Sequence, residues 1–95
     1  METTNEQPFN LIEKYKDSDI KKQFETFKQK VKGFTDVNEE LNLKTGDTIT
    51  FIGGYDSDIL YLSEILGFNS QGHAFILWDC FWLDIELKER DYKKM

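Results

Sequence analysis

Ile20, Phe24, Phe27 and Val31 recur at spacings of four, three and four. That spacing draws one apolar stripe along an amphipathic helix, and Gly33 supplies the left-handed residue that stops it. Upstream, Pro8 suits the first turn of a shorter helix carrying Phe9, Ile12 and Tyr15 on one face. "KDSD" separates the two segments, with Asp17 or Ser18 placed to cap the second start. The phase nearly matches across the break, so one long bent helix from Phe9 is the alternative. Residues 1–7 are polar and expected to be disordered.

After Gly33 the period changes. "TDVNEELNL" holds at most one helical turn, with Asp36 and Glu39 at capping-box spacing. "LKTGD" is a turn, and the β-branched run from Thr48 to Ile52 predicts a strand. "GGYDSD" is a loop. Ile59 to Phe68 is too evenly apolar for simple alternation and reads as a bulged strand buried on both faces, with Gly67 and "NSQG" making a hairpin turn. "HAFILW" and "FWLDIEL" follow as strands, and "KERDYKKM" closes as a short helical turn or tail.

One or two helices followed by four to five short strands is α+β. Residues 8–95 form a single domain, with 8–33 the helical part and 34–95 the β part. So few strongly bent strands in so short a stretch close most readily as a small antiparallel SH3-like β-barrel. The shape resembles SH3-like modules at the level of fold, with "L-x-x-GD-x-I-x-F" from Leu43 opening a strand and "G-F-x-x-x-G" from Gly67 forming the next hairpin. Fold alone assigns no function.

The densest apolar run, "ILWDCFWLDI" (76–85), poses the main question of packing. Strand alternation divides it into an odd set (Phe75, Leu77, Asp79, Phe81, Leu83, Ile85) and an even set (Ala74, Ile76, Trp78, Cys80, Trp82, Asp84, Glu86). The odd set is apolar except at Asp79 and is expected to face the barrel interior. An unpaired buried Asp79 is costly, so a turn or bulge is expected at Asp79–Cys80. Both tryptophans then need a cover, and the helix stripe matches them in kind. The alternative leaves a tryptophan exposed beside Tyr55 or Tyr61 as a binding patch.

Composition adds three constraints. Aromatics make up 15% of the chain, which a disordered chain would not carry. A lone cysteine, Cys80, and no basic-then-apolar start fit a cytoplasmic protein, and no apolar run approaches a membrane span. Eleven lysines to one arginine, Arg90, is the bias of an AT-rich genome and points to a bacterium or its mobile elements.

Catalytic and metal chemistry find little footing. His73 and Cys80 have no reason to meet, and apolar surroundings hold a thiol inert. Asp56 and Asp58 lack the further ligands of a calcium loop, and Gly53–Gly54 lacks the lysine of a phosphate loop. No cofactor, metal or catalytic residue is expected. Charge is more informative. Residues 36–86 hold ten acids against Lys44, a balance of −9, while 1–35 carry +1 and 87–95 carry +2, giving −6 overall. Such a module repels phosphates and anionic membranes.

The expected function is therefore a non-enzymatic interaction module for a basic protein, with Asp56, Asp58, Asp84, Glu86, Tyr55 and Tyr61 as candidate contacts. Two alternatives remain. One is a phage or mobile-element inhibitor presenting carboxylates where phosphates would lie. The other is a reader of cationic peptides through an aromatic cage drawn from Tyr55, Tyr61, Trp78 or Trp82 beside Asp56 or Asp58.

Overall fold

The computed structural model describes residues 8–53, 59–78 and 81–95. Two helices and an antiparallel sheet build a small α+β fold. Asn10 caps the first helix, α1 (Leu11–Lys14), by accepting the Glu13 backbone N–H at 3.0 Å. Because the cap sits at Asn10, Pro8 is not the first helical residue, and Phe9–Asn10 form instead a two-residue strand, β1. Leu11 takes the buried place expected of Phe9, which stays 47% exposed.

The second helix, α2 (Ile20–Phe27), is separate from the first. The Ser18 hydroxyl accepts the Ile20 N–H at 3.3 Å, as expected of a cap, although Asp19 holds the cap position itself. The helix ends earlier than its stripe implies. It tightens to a 3-10 turn at Lys28–Lys30 and is extended by Val31. This early exit brings Phe34 back against Phe24, with ring centroids 5.9 Å apart.

The expected helical turn at Asp36–Glu39 is a hairpin instead, with β2 (Val37–Asn38) paired to β3 (Leu43–Lys44). Asn38 accounts for the difference: its amide oxygen accepts the Leu41 N–H and its amide nitrogen donates to the Gly72 carbonyl. Asn42, at φ 58°, closes the turn in the left-handed region that asparagine tolerates.

The main sheet runs β7–β6–β5–β4–β8, from β4 (Thr48–Gly53), β5 (Ile59–Phe68), β6 (Ala74–Trp78), β7 (Phe81–Ile85) and β8 (Tyr92–Lys94). The C-terminal residues are thus no tail. After a 3-10 turn at Leu87–Glu89 they return as a strand on β4, with Phe51 opposite Tyr92. No closed barrel is found among the described residues.

Strand β5 is the centre of the sheet. Its first half pairs with β4 from Gly53↔Ile59 to Thr48↔Glu64, and its second half pairs with β6. The register slips between Ile65 and Gly67, so Gly67 belongs to a bulge rather than to the hairpin turn. Its φ of 149° and the Phe34 ring make glycine obligatory, since an added Cβ would lie 2.2 Å from that ring. Beyond the bulge β6 leaves the ladder, and the buried Ser63 hydroxyl accepts the orphaned Leu77 N–H at 3.1 Å.

Two cores result. Leu41, Leu43, Ile49, Phe51, Ile65, Phe68, Ala74, Ile76, Ile85 and Leu87 fill one face of the sheet. Leu11, Ile20, Phe24, Leu66, Phe75 and Leu77 fill the other, beneath the helices. This corrects the odd–even assignment: Phe75 and Leu77 face the helices, while Ala74 and Ile76 face the inner core. Trp78 pairs with Phe81 and Leu77 with Trp82, so odd positions of β6 share a face with even positions of β7. The hairpin inverts the phase. Trp82 therefore lies under α2, with its ring 4.4 Å from Phe27 and 5.6 Å from Phe24, whereas Trp78 packs beside Tyr61.

Phe24 is 1% exposed and touches four aromatic rings. Phe24→Ala is expected to cost about 3–5 kcal/mol in a denaturant melt, and Phe27→Ala less, because Phe27 is only half buried. Ser63→Ala strands the Leu77 N–H and is expected to cost about 1–3 kcal/mol, whereas Ser63→Thr, which keeps the hydroxyl, should recover part of that loss.

Candidate functional site

Where β6 leaves β5, a second edge of β5 opens and β1 pairs there in parallel, Phe9 opposite Tyr61 and Asn10 opposite Leu62. This places the Phe9 ring 5.9 Å from Tyr61, whose far side stacks on Phe51 at 5.6 Å. Trp78 meets Tyr61 edge-on at 4.8 Å. With Leu11 and Lys14 from α1 and Tyr15 at its C-cap, these rings line an open recess of 220 Å³. The Lys14 ammonium lies over it, 5.0 Å from the Phe9 centroid and 5.3 Å from that of Tyr15.

Sequence reasoning found Tyr61 and Trp78 for this site and missed Phe9, Tyr15 and Lys14. The missing signal was Asn10-x-x-Glu13, a helix start that leaves Phe9 outside the helix and sets Lys14 one turn in. Those two positions are the ones a hydrophobic staple joins, and here the pair is a ring and a cation.

Asp84 and Glu86 gather elsewhere. Asp84 lies opposite Phe75, three residues and about 10 Å along the strand from Trp78. It accepts from the Asn69 amide at 2.6 Å and lies 3.0 Å from His73 Nδ1, while Glu86 stands 3.7 Å from His73 Nε2. Asn69 also accepts the N–H groups of Gln71 and His73, so the "NSQG" turn is built around that one side chain. These carboxylates are tied to their own turn, at the end of β7 rather than of the last strand. Tyr55, Asp56 and Asp58, with Asp79 and Cys80, lie outside the described residues.

Other carboxylates are also bound at home. Lys21 reaches Glu64 at 2.9 Å, and Lys88 reaches Glu40 at 2.8 Å, which raises the Lys88 pKa above its ordinary value. Asp47 holds the turn before β4. Its carboxylate accepts the Lys44 N–H at 2.9 Å and stands near the ammonium groups of Lys44 and Lys94. The backbone bond is the main cause holding its pKa below 3.8.

Among the described residues, no three His, Cys, Asp or Glu side chains are grouped to hold a metal ion, and no helix is long and apolar enough to cross a membrane. No protein-family model, curated protein or solved structure matches the chain.

Because the folded pKa of Asp47 is depressed, its contribution is complete above the unfolded value and is lost as pH falls through the folded one. Asp47→Asn should therefore lower Tm at neutral pH. The gap to wild type should close as the solution is acidified below the carboxylate range.

Proposed function

We propose that this protein is a non-enzymatic interaction module, cytoplasmic, that binds a basic protein through the side of the sheet where the recess opens. The observation that carries this reading is the recess itself. Four aromatic rings, of Phe9, Tyr15, Tyr61 and Trp78, line one open depression, and partly exposed aromatic surface of this kind is what protein interfaces are rich in. The balance of −9 over residues 36–86 supplies the sign of the partner, since complementary charge accelerates encounter and rejects acidic competitors.

An SH3-like arrangement is part of the proposal. The meander β4 to β7, the bulged β5, the 3-10 turn Leu87–Glu89 and the return of β8 to β4 all support it. A nucleic-acid mimic draws less support, because Glu40, Asp47, Glu64 and Asp84 are engaged by the chain's own side chains and do not form a free row of anions.

Affinity capture with the folded protein, followed by titration of what is captured, tests the reading. A basic partner is expected, associating more slowly as salt shortens the Debye length to below its roughly 8 Å at physiological strength. Phe9→Ala, at a half-exposed position, should weaken binding at least tenfold with little change in Tm. A partner indifferent to both salt and Phe9→Ala removes the proposal.

A further inference from the structure

The recess has a feature that a general apolar contact surface does not need: it already holds a cation. Lys14 has no carboxylate partner among the described residues, and the nearby Glu13 is taken by Lys16 at 2.9 Å. What the Lys14 ammonium meets is the rings of Phe9 and Tyr15. Aromatic faces carry partial negative charge, and an ammonium within about 6 Å of a centroid is drawn to them.

Resting on the interaction reading above, we propose that the recess of Phe9, Tyr15, Tyr61 and Trp78 binds an alkylated ammonium group, a methylated lysine side chain of the basic partner, in place of Lys14. The walls have the right form. Phe9 and Tyr61 are inclined at 55°, and Tyr61 and Trp78 at 64°, so the rings line the open recess with faces turned at different angles instead of as one flat stack. At 220 Å³ the recess holds the liquid volume of about seven waters at roughly 30 Å³ each, enough for a branched head group.

The competition with Lys14 favours the guest. A primary ammonium is a compact, strongly hydrated charge, and drawing it onto a ring costs hydration. Methylation spreads the charge, replaces N–H donors with apolar surface and lowers that cost, while the ring attraction remains. Lys14 is exposed and gives up no ion pair with any described residue when it swings into water. The surplus of acids over residues 36–86 favours a cation approaching over long range. Lys14 is then a resident competitor, and its removal should help the guest.

The test titrates the full chain with three capped amino acids followed by tryptophan fluorescence: trimethyllysine, its uncharged carbon isostere, and glutamate. Trimethyllysine is expected to bind at least about tenfold more tightly than the isostere. Lys14→Gln should tighten it severalfold, and Phe9→Ala and Tyr61→Leu should each weaken it about tenfold. Equal binding of charged and neutral probes overturns the proposal. So does a preference for glutamate that Lys14→Gln abolishes, which would make the recess an anion site with Lys14 as its ligand. The two readings fail separately: a captured partner that trimethyllysine does not displace sinks this one alone. Trimethyllysine binding together with a capture that yields no basic partner sinks the interaction reading and leaves the alkylammonium site standing.

Discussion

The break in the β5 ladder at Ile65–Gly67 is the constraint on which the rest depends. A ten-residue strand whose one edge is held by β4 cannot serve both β6 and β1 along a straight opposite edge. The bulge divides the labour. Past Gly67 the strand belongs to β6 and to the Thr35–Phe68 bridge, and before Ile65 its outer edge is free of β6. Ser63 fills the first step of the gap with a hydroxyl, and β1 fills the next with two residues of backbone. The recess is what remains, bounded by rings from each element that meets there. The site is a consequence of how the sheet divides.

Charge plays a different part in the same arrangement. The lysines of α2 and its 3-10 extension lie across the sequence from the acids of the sheet, and Lys21 reaches Glu64 over that distance. Exposed pairs of this kind contribute little to folding. Their effect is to remove individual carboxylates from the pool available to a partner while leaving the overall sign unchanged. Net charge then governs encounter, and the aromatic surface governs residence, because affinity differences reside mainly in dissociation.

Much of this was legible where one physical signal dominated. The stripe Ile20–Phe24–Phe27 declared a buried helix face, and Thr48–Ile52 and Ile59–Phe68 declared strands with a bulge in the second. The errors arose where a short polar side chain or a register outvoted periodicity. Asn38 organised a hairpin where acid spacing suggested a helical turn. Asn10 capped a helix two residues after the proline that seemed to begin it. The hairpin pairing of Trp78 with Phe81 reversed the faces of the aromatic run, so the two tryptophans parted company. Strand β8, short and charged, has no apolar alternation to announce it and exists because β4 has an open edge. Of the expected site, Tyr61 was legible and Phe9 was not, since its position is set by pairing with Tyr61, 52 residues away in sequence.

That long-range pairing also sets how the recess behaves. Its outer wall, Phe9, is held by a two-residue strand and a one-turn helix, both short elements. Its inner wall, Tyr61 and Trp78, packs against both cores. Two walls of such unequal support open at different free energies, because local stability follows buried contact and hydrogen bonding. A ligand touching only Tyr61 and Trp78 is indifferent to whether β1 is docked. A ligand that also touches Phe9 binds the docked form alone and, by mass action, stabilises the pairing of β1 with β5. Occupancy of the recess and order at the N-terminal strand are therefore one equilibrium, reached through a strand edge that exists because Gly67 bends β5 away.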